Sequence, residues 1–280
     1  MEYIPAKSIV NRTKDPSWFG TEYNMNIYRG CCHGCIYCDS RSDCYHTDGF
    51  DQVKVKADAL RIIRDDLASK AKTGVVGTGS MSDPYNPFEE ELLLTRRALT
   101  LLEAYGFGAA IATKSDLITR DIDVLSSINR TMPAICKLTL TTCDDALAAK
   151  VEPGAPSPSR RLAAVERLSA AGLFTGILMM PILPFLEDHP ENIRAIVNRA
   201  ADAGARFVYP ALGMTCRAGQ REYFYRKLEA YFPGQGLAER YQRRYGPRYE
   251  CASPKARALW EVFQEACNRR GLLYSMGRIV

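Results

Sequence analysis

Tyr28-Arg29-Gly30-Cys31-Cys32-His33-Gly34-Cys35-Ile36-Tyr37-Cys38 decides how the rest of the chain is read. Cys31, Cys35 and Cys38 stand in C-x3-C-x2-C spacing, with Cys32 as an extra thiol beside the first. Three thiolates this close can grip one face of a compact iron–sulfur cluster, because each iron takes a soft sulfur ligand. No fourth ligand lies at equally short range, which leaves one metal position open, the mark of a reactive centre. Gly30 and Gly34 let the backbone bend where a Cβ would crowd the metal. Spacing alone leaves two rivals standing. Cys44 and His46 follow closely and could complete a zinc tetrahedron. Positions 31, 35 and 38 also fall on the i, i+4, i+7 face of a buried helix. Disulfides fit poorly, since loops this short strain the bond.

Outward from the loop, composition bounds the answer. The 280 residues are 46% hydrophobic and 25% charged, as in an ordinary soluble globular protein, and suffice for one large α/β domain or a barrel with a short appendage. Ten cysteines without a signal-peptide pattern fit a reducing compartment, where clustered thiols mean metal or catalysis. Residues 1–20 are polar and broken by Pro5 and Pro16, and the longest apolar run, 174–185, is interrupted by two prolines. A cytoplasmic protein with no membrane segment is the expectation. The net charge of +5 would help approach to a phosphate backbone, and it suits small anionic substrates equally well.

The hydrophobic pattern then alternates. Runs at 22–28, 74–79, 107–112, 134–141, 174–180 and 206–211 read as strands; 57–70, 89–105, 121–129, 160–171 and 191–203 read as helices. Six strands alternating with helices argue a parallel α/β array, and right-handed crossovers wrap it into a partial (β/α)6, TIM-like barrel. The expected division is an N-terminal extension over 1–19, a core barrel over 20–217 and a C-terminal helical extension over 218–280. Chemistry in such a barrel gathers at the C-terminal ends of the strands. Here those ends carry the cysteine loop, 80–83, 114–116, 141–144, 181–184 and 213–217.

The cysteine spacing, with aromatic Tyr37 before the last cysteine, resembles the signature of the radical S-adenosylmethionine superfamily. The longer run from Asn26 to Cys38 is similar to its spore photoproduct lyase-like branch. The resemblance implies a [4Fe-4S] cluster on Cys31, Cys35 and Cys38 whose open iron is chelated by S-adenosyl-L-methionine. It also implies a one-electron reductant of the flavodoxin or ferredoxin type and a 5′-deoxyadenosyl radical that abstracts a substrate hydrogen. The cofactor carries that chemistry, and the protein supplies orientation and exclusion of solvent.

The resemblance also assigns roles at the barrel mouth. Lys114, matching a Thr-Lys pair at a strand end, would pair with the cofactor carboxylate; the bland alternative is a rim lysine paired to Asp116. Thr141, eleven residues before Glu152-Pro153-Gly154, would contact the cofactor, against a threonine placed by strand propensity. Tyr37 would pack near the adenine, or merely bury its ring. Ser82 and Asp83 lie in a loop similar to the branch, with Asp83 suited to the cofactor's amino group. His33 could tune the cluster through a hydrogen bond to sulfur. Ser80 stands where the branch carries a hydrogen-donating cysteine, and a serine O–H bond is too strong for that work, which puts strict lyase activity in question. Cys143 could serve as the hydrogen relay instead, or be an inert small hydrophobe. Cys32 reads as a spare thiol, Cys44 as no ligand, and Cys136, Cys216, Cys251 and Cys267 as packing.

The stretch 221–249 interleaves Tyr223, Phe224, Tyr225, Tyr231, Tyr241, Tyr245 and Tyr249 with Arg226, Lys227, Arg240, Arg243, Arg244 and Arg248. Rings among guanidinium groups suit unstacked bases and phosphates, which makes nucleic acid a possible partner. Two amphipathic helices covering the open side of the barrel explain the same pattern. Helix 256–267 reads as packing. The expected function is a radical enzyme acting on a nucleic-acid base or pyrimidine adduct. Radical modification of a peptide or small metabolite is the alternative, and a zinc-stabilised nucleic-acid-binding module is the non-enzyme one. Oligomeric state is not legible.

Overall fold

The structure, a computed structural model, describes residues 1–280. It begins with β1 (Glu2–Ile4) and β2 (Val10–Arg12), runs through β3 (Thr21–Met25), and turns at β4 (Tyr28–Arg29) into the cysteine loop before returning along β5 (Lys54–Lys56). The β/α alternation follows as β6 (Val75–Thr78), β7 (Gly108–Thr113), β8 (Ala134–Thr139), β9 (Phe174–Met179) and β10 (Phe207–Pro210). β11 (Gly213–Thr215) and β12 (Glu250–Ala252) pair as a separate antiparallel ladder.

The main sheet has seven strands in the order β10-β9-β8-β7-β6-β3-β2. The six expected strands are parallel, and β2 adds an antiparallel edge that the sequence did not announce. The sheet does not close: β10 and β2 are its two edges, so the barrel is partial. Alternation along the strands divides the interior. Ala109, Ile111, Cys136, Leu138 and Ile177 face the outer helices and belong to a core of 47 buried residues. Ala110, Ile135 and Leu178 face the concave side, where Phe19, Phe207 and Ile279 plug one end. Each fully buried Ile or Leu contributes about 1.5–3 kcal/mol, so the larger core dominates stability.

Three boundaries differ from the expectation. The strand expected over 22–28 stops at Met25, and Tyr28–Arg29 peels away to pair with β5. Gly30 makes the turn possible: its φ is +78°, and a Cβ there would lie 2.6 Å from the Phe50 carbonyl oxygen. The helix expected over 89–105 is broken at Leu93, in the left-handed region at φ 54°. The strand expected to reach Thr141 leaves the sheet after Thr139.

The C-terminal segment forms helices Gln220–Tyr231, Leu237–Tyr245 and Ala256–Arg270. The first two bury Phe224, Leu228, Tyr241 and Tyr245 in a second core together with Cys35, Ile36, Tyr37 and Leu183. These rings face inward, as the amphipathic reading requires, while Tyr223, Tyr225 and Tyr231 are half-buried and Tyr249 is exposed. No helix is long and apolar enough to cross a membrane.

Candidate active site at the open end of the half barrel

The cysteine loop is irregular rather than helical and is clamped by backbone from two sides. Cys31 N–H donates to the Phe50 carbonyl at 2.8 Å and Ile36 N–H to the Val151 carbonyl at 2.9 Å, while Gly154 N–H donates to the His33 carbonyl at 2.8 Å. Gly154 is needed for that approach, because a Cβ would fall 2.4 Å from the Cys32 carbonyl oxygen. The 152–154 turn is therefore the cradle of the loop.

Cys31, Cys35 and Cys38 all line one cavity of about 860 Å³. The cavity also takes in Tyr37, Ser80, Ser82, Asp83 and Lys114. All ten cysteines are free. Burial, with Asp83 adding to it, pushes the Cys31 thiol up to about 12, and burial likewise raises Cys35. Metal binding at such thiols is coupled to proton release, because the thiolate is the ligand. No three His, Cys, Asp or Glu side chains converge on a point that one ion could share. The donor set is three soft sulfurs of one loop facing a cavity, which fits a multi-iron cluster with an open position better than a closed tetrahedron. Cys44 is exposed, its sulfur taking a hydrogen bond from Arg217 at 3.3 Å, and His46 is exposed as well. The zinc tetrahedron does not assemble.

Behind the loop lies a buried charge network. Glu152 and Arg161 are each 1% exposed and meet at 2.5 Å, and the Tyr37 hydroxyl donates to Glu152 as well. Lys114 Nζ reaches the same carboxylate only at 3.9 Å and stands 5.5 Å from the centroid of the Tyr37 ring. Burial opposes the charge of Lys114, yet the surrounding Cys35 and Glu152 hold its pKa above the usual value. Asp116 pairs with Arg160 at 2.8 Å, so the rim pairing of Lys114 with Asp116 is not formed. Glu152 stays below the usual carboxylate range: burial pushes it up, and the Arg161 and Lys114 charges outweigh burial.

Asp83 is fully engaged by the protein. It accepts from Tyr85 N–H, from the Thr113 hydroxyl at 2.6 Å and from Lys114 N–H at 2.8 Å, and His33 Nδ1 lies 3.3 Å away. These partners fill the four lone-pair directions of a carboxylate. His33 is 2% exposed, and burial lowers its pKa. Ser82 is buried with its hydroxyl donating to the Tyr28 carbonyl, whereas Ser80 is exposed at the cavity wall.

Thr141 and Cys143 do not line the cavity. The Thr141 hydroxyl donates to Glu187 at 2.8 Å; Thr139, two residues earlier, faces the cavity in its place. Cys143 lies beside Arg199, with burial pushing its thiol up to about 11. Sequence reasoning passed over the Glu152–Arg161 pair and the fully buried Glu187, whose carboxyl burial raises to about 8. Glu152 stood out only as the head of Glu152-Pro153-Gly154, and no local signal marks its pairing with Arg161 or the burial of Glu187.

Residues 25–200 match the family model of the radical SAM superfamily. The chain is 31% identical over 249 residues to the uncharacterized protein Rv2578c of Mycobacterium tuberculosis, covering 86% of this chain and 72% of that one. It is 24% identical over 281 residues to the radical SAM Nalpha-GlyT isomerase of Pseudomonas phage M6, covering 94% of this chain and 53% of that protein. Among solved structures it shares its fold with spore photoproduct lyase complexed with dinucleoside spore photoproduct, at a TM-score of 0.67 and 16% identity over 98% of this chain and 81% of that one. With the cysteine loop, the half barrel and the family match in agreement, the chain belongs to the radical SAM superfamily.

Proposed function

We propose that this chain is an enzyme that uses a [4Fe-4S] cluster and S-adenosyl-L-methionine to remove a hydrogen atom from a small ring-containing substrate, a nucleic-acid base or pyrimidine adduct being the leading class. The observation that carries the reading is the convergence of Cys31, Cys35, Cys38 and the weakly paired Lys114 ammonium on one cavity. When bound, the cluster and S-adenosylmethionine supply a carbon radical. The chain's own residues do the rest. The three cysteines would hold the cluster, and the loop's having only three of them leaves a position for the cofactor. Lys114 offers its ammonium to a carboxylate, with Glu152 keeping it charged. Tyr37 presents a ring beside that ammonium, and Leu178, Met180 and Pro181 form an apolar wall that excludes water.

The cavity volume lies in the ordinary range for a small-molecule site, roughly 300–1,000 Å³. Thr21, Asn24 and Thr139 place hydrogen-bonding groups in its depth, suited to the edge of a base. One protein of similar fold supports this class, having been solved with a dinucleoside photoproduct. The burial of Phe224, Tyr241 and Tyr245 takes those three rings out of any base-stacking surface, while Tyr249 stays exposed. That burial favours the second reading, radical modification of a peptide or small metabolite held wholly inside the cavity.

The test is anaerobic reconstitution with iron and sulfide, followed by dithionite and S-adenosylmethionine, with 5′-deoxyadenosine read by chromatography. Wild type is expected to turn brown and produce it, and Cys35→Ala to do neither. A rise with thymine-dimer oligonucleotide supports the base class; a rise only with peptides or small metabolites moves the second reading forward. No visible absorbance and no 5′-deoxyadenosine would overturn the proposal.

A further inference from the structure

Lys137, in the middle of β8, is the one buried lysine of the chain, 2% exposed. Its ammonium has neither a carboxylate nor a hydrogen-bond acceptor; it rests over the Phe19 ring, 4.4 Å from the centroid. The other buried cation, Arg161, is paired with Glu152. Burying a charge is costly unless it is paired, so an ammonium kept here calls for a partner the protein itself does not supply. Alternation along β8 puts Lys137 on the concave face with Thr139, one pleat, about 7 Å, further from the cysteine loop. Thr139 lines the cavity, and its hydroxyl has no partner in the protein either. Across the sheet Lys137 stands between Ala112 and Gly176. The space over Gly176 is taken by Phe207, whose ring lies 2.5 Å from where a Cβ would sit, whereas Ala112 carries a single methyl and lines the cavity. Phe19 and Phe207 thus close the ammonium off on the side of the plug. Lys137 lies just beneath the cavity lining, and its flexible four-carbon stem lets the ammonium reach past the Ala112 methyl. Trp18 lines the cavity near Phe19, its ring set at right angles to Phe19 and Tyr209.

Resting on the proposed radical function, we propose that the end of the cavity away from the cysteine loop is a subsite for one anionic group of the substrate, a carboxylate or a phosphate ester, with Lys137 as its counter-charge and the Thr139 hydroxyl as a second donor. The cavity then carries a cation at each end. Lys114 stands beside the cysteine loop, and Lys137 anchors the far end of the substrate, so the part of the molecule between the two anchors is the part turned toward the cluster. Burial lowers the Lys137 pKa to about 8, which leaves most of the side chain charged at neutral pH, and an anion beside it would strengthen that charge. The substrate class narrows accordingly. A neutral base leaves the ammonium unpaired; a base carrying a phosphate, or a small carboxylic acid, does not.

The test uses reconstituted full-length protein with S-adenosylmethionine and three probes of similar shape: benzoate, phenyl phosphate and neutral benzyl alcohol, with binding read by ligand-observed NMR. Wild type is expected to bind at least one of the anions about 10-fold or more tighter than benzyl alcohol, the worth of one charge-assisted contact. Which anion it prefers separates a carboxylate from a phosphate ester. Lys137→Met keeps the shape of the stem and is expected to erase the preference; Thr139→Val is expected to cut it about 2- to 10-fold. Thermal unfolding adds a readout without any probe: with an unpaired buried charge removed, Lys137→Met should melt no lower than wild type. A clear fall in its Tm makes the lysine a strut for Phe19 and overturns the subsite. So does equal binding of anions and benzyl alcohol by wild type, or a preference that survives Lys137→Met. Dithionite is then added to the same samples and 5′-deoxyadenosine measured. Its production without any anion preference sinks the subsite and leaves the proposed function standing; its absence from every sample fells that function and the substrate role of the subsite with it.

Discussion

Glu152→Gln is the sharpest probe of how the site is held. The carboxylate is 1% exposed and serves three partners: Arg161 at 2.5 Å, the Tyr37 hydroxyl, and Lys114 at 3.9 Å. Glutamine keeps the shape and removes the charge. Arg161, itself 1% exposed, then retains only the Pro156 and Thr139 carbonyls, at 2.7 and 3.1 Å. Removing one partner of a buried ion pair costs about 3–5 kcal/mol, because the other charge stays desolvated. At about 2–4 °C per kcal/mol for a chain of this size, Tm should fall by roughly 10 °C. The pH dependence follows from the depressed carboxyl pKa. A group held below its unfolded value contributes stability above that value and loses it as pH falls through the folded one. The gap between wild type and Glu152→Gln should therefore persist from pH 7 to pH 5 and close only in stronger acid. Thermal unfolding across that series measures it. A drop under about 2 °C at pH 7, or a gap already closed at pH 5, would refute the network as described.

Glu187→Gln should behave in the opposite way. Its folded carboxyl near 8, against an ordinary 4.5, means wild type loses stability as pH rises from about 5 to about 8, so the glutamine variant should gain on it over that window by up to about 1 kcal/mol per pH unit, read by urea unfolding. Lys114→Met should weaken S-adenosylmethionine binding about 10- to 100-fold in calorimetry, the loss of one charge-assisted contact, with little change in Tm because its protein ion pair is long. Cys44→Ser and His46→Ala should leave the iron content of reconstituted protein unchanged, while Cys35→Ala abolishes it; a loss of iron in either of the first two would revive a wider ligand set.

The parts that could be read from the sequence are those whose cause is local. Strands β7 and β8 follow from apolar runs that want burial on both faces, and the loop follows from thiol spacing. What escaped depends on distant partners. Val10–Arg12 has no strand pattern of its own; it is held as an edge because Asp66 accepts from Ile9 and Val10 N–H at 2.7 and 2.8 Å. The 89–105 helix breaks although its residues favour helix, and Glu89 turns inward at the break to take Tyr28 and Thr95. Thr141 keeps the parity of Thr139, but the chain has left the sheet, so its hydroxyl turns to Glu187 instead of the cavity. The Tyr–Arg alternation of the tail fits two readings until helical phase is combined with a surface to bury, which puts Phe224 with Leu228 and Tyr241 with Tyr245 inside. Cys216 and Cys251 look scattered because 35 residues separate them, and only the ladder joins them.

Tyr37 shows why the C-terminal segment belongs to the site. Its hydroxyl is fixed by Glu152, and its carbonyl accepts from Gln220 Nε2 at 3.0 Å, so one residue ties the cysteine loop to both the 152–154 cradle and the segment after β11. The Thr215 hydroxyl and Arg217 both hold Asp39, and Asp43 N–H donates to the Ala218 carbonyl. Ordering an irregular loop costs about 1–2 kcal/mol per residue in backbone entropy. A half barrel with an unclosed edge cannot supply that from its own strands. The aromatic cluster of the two tail helices does, by burying Phe224 and Tyr241 against Cys35, Ile36 and Tyr37. The ladder of Gly213–Thr215 and Glu250–Ala252 that lines the cavity thus covers the side the missing strands leave open, and loosening the tail should loosen the cysteine loop with it.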